Sequence, residues 1–423
     1  MTEEFLNLVH PGEAVQLLLE GLPDGGAAIE KVEVSRALGR VIAGDITAPE
    51  DIPGFDRSSM DGFAVLASDT FAASEGLPAY LELAGEVPMG SAGTVEVTPG
   101  QAVRISTGGV MPEGSDAVVM VENTETDGLT VEVVKGVAPG ENVIRKDEDI
   151  ASGALLFSRG QVLGPAQAGA LVALGIIGVT VYRLPVVGVI STGNELVPPS
   201  DTPGPGQVRD VNSTALAASV VRAGCLARAY GIVADEFGLL LEASRRALAE
   251  CDALVISGGS SMGVRDITVD ILDRLGSPGT LAHGIYLKPG KPTLVAVCDG
   301  KPALGLPGNP ASALTVFQEV MVPVLAALRG ENKRGGPSTV EAVLDRSVVS
   351  ATGRLELVPV SLGVEGGVLR ATPVPGKANL IGTLARANGN VRIPEGSEGI
   401  ERGERVKVEI FGPVTTGTGE RAH

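Results

Sequence analysis

The sequence contains no tryptophan, and aromatic residues make up only 3% of its 423 positions. Base-stacking platforms for single-stranded nucleic acid are therefore not expected. Cysteine is scarce: Cys225, Cys251 and Cys298 stand alone, without paired spacing. That argues against a disulfide framework and for a reducing compartment. His10, His283 and His423 show no ligand spacing, so neither a zinc site nor a Ser-His-Asp triad is expected. Basic residues are also short, 33 against 51 acidic ones, which leaves a formal net charge of −18. So acidic a surface repels nucleic acid and anionic membranes, and an anionic ligand would need a locally positive site. No apolar run reaches 18 residues, and the acidic start MTEEFLNLVHPGEA lacks a charged-then-apolar leader. Neither a membrane span nor a signal peptide is expected, and the chain is placed in the cytoplasm.

What the sequence has in excess is glycine. Its 58 glycines are about twice the usual share of ~7%, without a collagen-like period. They imply many turns and close backbone approaches. The length suggests about two to four domains.

Residues 11–45 read as helix, helical turn and strand, with Pro11 suited to a first helical turn. Residues 46–147 carry short alternating runs such as Ala117-Val118-Val119-Met120-Val121, as a β-rich unit would. Residues 150–182 return to a helical pattern. From 185 to 328 strands and helices alternate. Predicted strands cover residues 185–191, 227–233, 253–257, 293–298 and 303–306. Predicted helices cover 212–223, where Asn212 can cap, 237–248, 267–275 and a segment from Pro310. That alternation predicts a sheet with helices on both faces. Residues 333–413 are short strands and turns again. The tail from Gly412 to His423 is expected to be disordered.

The most informative segment is Ser257-Gly258-Gly259-Ser260-Ser261-Met262-Gly263, directly after a buried strand. Open α/β sheets bind ligands at the carboxyl ends of their strands. Three glycines let backbone N–H groups approach an anion, and two serines add donors. A plain connecting turn would also explain the glycines. The loop is neither a Walker loop nor a dinucleotide fingerprint. Asp235 and Asp266 each precede a predicted helix and could be N-caps. Placed together at strand ends beside a phosphate, they would also suit Mg²⁺, which takes one or two carboxylates plus phosphate oxygens and waters. Lys288-Pro289-Gly290-Lys291-Pro292 sets two lysines in a proline-stiffened turn, a candidate oxyanion clamp. In Pro307-Gly308-Asn309-Pro310, capping accounts for Asn309 and Pro310, and the preceding Pro-Gly suggests a shaped ligand wall. Glu195 follows the first strand and could read a ligand amine. Polar clusters around Asp61, Thr107 and Asp149 read, each alone, as turns.

Seven strings occur in one order: FDRSSMDGFA, RISTGGVMPEGSDAVVM, DEDIASGALL, STGNELVPP, VISGGSSMGVRD, LKPGKPT and GLPGNPASAL. Together they resemble the molybdopterin molybdenumtransferase family, also called MoeA, and the E domain of gephyrin. The resemblance spans residues 7–411. It implies four domains: a mostly helical linking domain (1–45 and 150–182), a β-rich inserted domain (46–149), a three-layer α/β molybdopterin-binding domain (183–330) and a small C-terminal β-barrel-like domain (331–413), with residues 414–423 as a tail. It implies an elongated homodimer whose site lies between the α/β domain of one subunit and the β-rich domain of the other. The implied reaction inserts molybdate into adenylylated molybdopterin and releases AMP, with Mg²⁺. Site residues carried over are Asp61, Thr107, Asp149, Glu195, Asp235, Asp266, Lys288, Lys291, Pro307 and Pro310. The Gly-rich loop would grip the pterin side. Molybdopterin adenylyltransferase and molybdoenzymes or their chaperones are the implied partners. Two alternative readings are a gephyrin-like scaffold dimer and the preceding adenylylation step. One departure stands out: family members often carry Ser-Gly where this chain has Ala378-Asn379.

Overall fold

A computed structural model describes residues 7–23, 27–91, 94–258, 262–332, 336–374 and 381–416. At its centre lies a six-stranded sheet, in the spatial order Leu226–Val233, Val186–Thr192, Ala253–Gly258, Lys301–Leu306, Leu294–Cys298, Pro278–His283. The first four strands are parallel, and the last two pair antiparallel. Strand residues alternate between two cores because side chains alternate across a pleat. Val187, Val189 and Val255 face a core shared with Leu216, Val220, Phe317 and Val324. Ile190, Leu254 and Ile256 face the opposite core, with Leu240, Leu248, Ile271 and Leu272. Helices Asn212–Arg222 and Pro310–Val316 thus cover one face, and Phe237–Glu250 and Met262–Leu275 the other. The N-terminal helix Pro11–Glu20 inserts Ala14 and Leu18 into the first of these cores.

Several sequence expectations shift here. The antiparallel strand Pro278–His283 was not expected; its Pro and Gly at the start mask a strand signal that an edge position tolerates. Strands Leu294–Cys298 and Lys301–Leu306 form a hairpin turned by Asp299 (φ 48°) and Gly300 (φ 80°), the Asp-Gly chemistry of a two-residue turn. Helix Met262–Leu275 starts five residues before the predicted 267. Near the N-terminus the order is helix, strand Ile29–Glu33, then the turn Val34–Arg36, with turn and strand exchanged relative to expectation.

Among the described residues one helical stretch, Pro310–Leu328, is long and apolar enough to cross a membrane, and half of it is buried. Val316, Phe317, Val320, Met321, Val324 and Leu325 are fully enclosed, as in a core helix. A π turn, Phe317–Met321, interrupts it. Pro323 explains the break, because it lacks the N–H that would bond to the Glu319 carbonyl.

The inserted unit is a second six-stranded sheet, ordered Ala117–Met120, Gly62–Val65, Gln101–Ile105, Ala79–Val87, Thr130–Val133, Thr124–Thr126. The joining unit pairs Ile29–Glu33 with Gly178–Tyr182 and packs helix Pro165–Ala173 over Val34, Ile42, Val179 and Val181. Arg329 ties it to the central unit by donating to the carbonyls of Gly39 and Ala223, each at 2.8 Å. At the C-terminal end, strands Leu355–Glu365, Val368–Pro373, Thr339–Leu344, Arg405–Ile410 and Gly389–Ile393 follow one another, and the last pairs back with the first. That closes a small barrel. Thr415–Thr416 pair with Gly363 and Val364, so the expected disordered tail begins with an ordered bridge; residues 417–423 lie outside the described set.

Candidate functional site

The carboxyl ends of Val186–Thr192, Ala253–Gly258 and Lys301–Leu306 lie side by side. A connection at residues 208–213 links them through buried polar side chains. Ser191 Oγ donates to Asp210 Oδ1 at 2.9 Å, and the Ser213 N–H donates to the same oxygen at 3.1 Å. Asp210 therefore satisfies a first-turn N–H of the following helix from the position before its cap, Val211. Asn212 is that helix's first residue and does not cap it as expected. Its Nδ2 instead donates to Ser257 Oγ at 2.8 Å and to the Gly308 carbonyl at 2.9 Å. Asp210 is 3% exposed, Asn212 7% and Ser257 1%, so these bonds hold the strand ends together away from water.

Gly258 permits the close approach. Its φ is +147°, and a Cβ there would lie 2.0 Å from the Thr192 carbonyl oxygen. Gly308 sits over it, with its own Cβ position 3.7 Å from Gly258 Cα. Pro307 is buried, and Asn309 and Pro310 start helix Pro310–Val316, with Asn309 as a cap that makes no side-chain bond. Gly259, Ser260 and Ser261 lie outside the described residues. Gly263 falls inside the first turn of helix Met262–Leu275 rather than in a loop. Asp266 also lies within that helix and so does not precede it as a cap; its side chain is outside the described set.

Asp235 likewise does not cap its helix. The cap position is Glu236, and Asp235 Oδ1 accepts the Thr192 hydroxyl at 2.6 Å. The Asp235 N–H is shared with Asn194 Oδ1 at 3.3 Å. Glu195 is exposed; its backbone carbonyl accepts from Val208, and its carboxylate folds back against Gly193. Among the described residues no group of three or more His, Cys, Asp and Glu side chains could hold a metal. A half-buried Asp235 with one carboxylate oxygen engaged still suits Mg²⁺, whose other ligands are commonly phosphate oxygens and water.

The lysine turn is firmly held. The Lys291 carbonyl accepts from Ile285 and Thr293, and Thr293 Oγ1 donates to the Gly290 carbonyl at 2.7 Å. A Cβ at Gly290 would meet Val316 at 2.4 Å, so the turn rests on helix Pro310–Val316. Lys288 Nζ lies 2.9 Å from Glu356 Oε1 in the C-terminal barrel.

Asp61 and Thr107 come together in the inserted sheet. Asp61 Oδ1 accepts the Thr107 N–H at 2.7 Å and its hydroxyl at 3.2 Å, and both residues are exposed. Asp149 is also exposed; its N–H donates to the Ile52 carbonyl. Among the described residues no hydrogen bond or ion pair joins these three to the strand-end cluster. The three thiols are buried and free. Burial pushes Cys225 up to about 11 and Cys298 to about 12, and raises Cys251, so none is a ready nucleophile. Ala378-Asn379 lies outside the described residues.

Sequence reasoning missed Asp210, Glu356 and the true work of Asn212. The polar run Arg209-Asp210-Val211-Asn212 before a helix was a signal, but capping seemed to exhaust it.

A three-layer sheet with a glycine-lined ligand edge, an inserted β unit and a terminal barrel define a multidomain enzyme of the molybdopterin-binding class. Family models match in series: the MoeA N-terminal region (domain I and II) over residues 9–175, a probable molybdopterin binding domain over 188–327, and the MoeA C-terminal region (domain IV) over 341–411. The chain belongs to the MoeA family of molybdenum cofactor biosynthesis. It is 35% identical to a putative molybdopterin biosynthesis protein of Methanocaldococcus jannaschii, over 96% of this chain and 98% of that one. It is 34% identical to the molybdopterin molybdenumtransferase of Bacillus subtilis, over 90% of each. The solved molybdopterin biosynthesis MoeA protein of Pyrococcus horikoshii OT3 superposes with a TM-score of 0.81 at 32% identity, covering 96% of this chain and all of that one.

Proposed function

We propose that this chain is a molybdopterin molybdenumtransferase that inserts molybdate into adenylylated molybdopterin and releases AMP, with Mg²⁺. The observation that carries this reading is the strand-end site, where Asn212 holds Ser257 and Gly308, and Gly308 lies against Gly258. Backbone N–H groups at such an edge can cradle a phosphorylated ligand. In a chain of charge −18, Lys288 and Lys291 supply the local positive charge for a dianion such as molybdate. Asp235 and Asp266 are the groups to hold magnesium, which when bound would offset negative charge at the pyrophosphate link. Glu195, Pro307 and Pro310 would line the ligand.

Among the described residues, Asp61, Thr107 and Asp149 make no bonds to this site. The reading therefore assigns them to a homodimer, in which Asp61 of the partner subunit completes the site. Exposed apolar side chains on the joining unit, Ile29, Leu38 and Ile177, favour association. The low cysteine count supports a cytoplasmic site of action, next to the adenylylating enzyme and the molybdoenzymes it would serve. The test is to incubate the protein with adenylylated molybdopterin, Mg²⁺ and molybdate and to follow AMP. Failure to release AMP in step with cofactor formation overturns the proposal.

A further inference from the structure

The two lysines of the turn differ in their surroundings. Lys288 is paired with Glu356, whereas no carboxylate among the described residues lies within ion-pair distance of Lys291. The Lys288 pair is built into the fold. Strand Leu287–Lys288 runs parallel to the first strand of the C-terminal barrel, with Leu287 opposite Leu355 and Lys288 opposite Glu356. The Leu355 N–H donates to the Tyr286 carbonyl at 3.1 Å, which fixes that register. Glu356 is the more enclosed partner, 13% exposed against 42% for the Lys288 side chain. Its second oxygen accepts the Ser350 hydroxyl at 2.5 Å, so the carboxylate is held from both sides.

We propose that Glu356 is a positioning residue that sets the affinity of the lysine turn for an inorganic dianion. It holds the Lys288 ammonium in place and sets a negative charge against any oxyanion that reaches it. The proposal rests on the reading that the lysine turn receives molybdate. The electrostatics follow from the geometry. A dianion drawn to Lys288 also meets the Glu356 carboxylate a few ångströms away, and the two repel. Lys291, without such a partner among the described residues, offers the first contact. Lys288 adds its charge fully only when the dianion competes with Glu356 for it. Inorganic oxyanion alone is thereby held weakly.

The test is calorimetric titration of molybdate into the full-length protein and its variants. Glu356→Gln keeps the shape and the Ser350 hydrogen bond but removes the charge. It should bind molybdate about fivefold to tenfold more tightly at low salt, and the gain should shrink in about 0.5 M salt because screening shortens the repulsion. In AMP release, the KM for molybdate should fall in parallel. A merely structural Glu356 would weaken binding or lower kcat instead. Unchanged or weaker binding by Glu356→Gln, with Lys288→Ala and Lys291→Ala still impaired, overturns the proposal and leaves the lysine turn as the oxyanion site. Unimpaired molybdate binding by both lysine variants sinks the reading of the turn itself, and the proposal with it. Should Glu356→Gln lose its fold by circular dichroism, Glu356→Asp serves in its place. It draws the carboxylate back by one methylene and should tighten binding in the same direction by a smaller factor; no gain there counts against the proposal.

Discussion

The central and inserted sheets both have six strands, yet they hold their candidate residues in opposite ways. At the central sheet's edge, Ser191, Ser257, Asp210 and Asn212 are each less than 8% exposed and bonded to one another. In the inserted unit, Asp61, Thr107 and Asp149 sit exposed on turns and, among the described residues, bond only within that unit. A buried polar network fixes geometry and makes stability depend on it. An exposed pair contributes little to stability and is free to meet something outside the chain. The contrast suits a site assembled from two surfaces, one rigid and one presented to it.

The largest effect should come from Gly258→Ala. The new Cβ would collide with the Thr192 carbonyl and require a φ that alanine avoids. Overpacking and backbone strain together should cost about 3 kcal/mol or more, with ligand binding abolished. A melting temperature and AMP release close to wild type would break the idea that the strand ends are tightly stitched. Next comes Asp61→Ala, where activity should fall by roughly 10²–10³ while stability stays within about 0.5 kcal/mol. An equally large fall in stability would erase the distinction between the two sheets. Asn212→Ala removes two hydrogen bonds, one to buried Ser257 and one to half-buried Gly308, and should destabilise by about 2 kcal/mol. Urea unfolding measures this, and the KM for the pterin substrate should rise as the Gly308 and Ser257 segments loosen.

The same contrast decides how much was readable from the sequence. The alternation of buried strands and amphipathic helices over 185–328 was legible because side-chain periodicity encodes burial directly, as in Val186–Thr192 and Phe237–Glu250. The lysine turn was legible by composition, because its prolines and glycine signal a turn. The start of helix Met262–Leu275 was not, since Met262-Gly263 follows a Gly-Ser-rich run and reads as its continuation. Asp235 and Asn212 looked like caps because sequence shows only local partners. Their real partners, Thr192, Ser257 and Gly308, lie 43, 45 and 96 residues away. Glu356 could not be found at all, because only strand pairing between two units brings it to Lys288.

The smallest expected effects are in acid, where the two regions should respond with opposite sign. In the inserted unit, the Asp51 carboxylate accepts the Ser152 N–H and pairs with Lys146, and these hold its pKa below the usual 3.8. A depressed carboxylate contributes stability that is present above the unfolded pKa and is lost as pH falls through the folded one. Asp51→Asn should therefore be the less stable protein above about pH 4, with the difference closing below it. On the π turn of the central unit, burial lifts Glu319 above 4.5 even though Arg392 lies 2.8 Å away. Arg392 gains from the pair where Glu319 loses. The arginine is 37% exposed and has Glu409 as a second partner, whereas Glu319 is 10% exposed and bears the burial. A raised carboxyl contributes stability that is full below the unfolded pKa of 4.5 and lost as pH rises through the folded value. Glu319→Gln should thus gain on the wild type as pH rises from about 4.5 toward neutrality. Urea unfolding of both variants at several pH values measures the two slopes. Slopes of the same sign would show that the inserted and central units do not differ in how they bury charge.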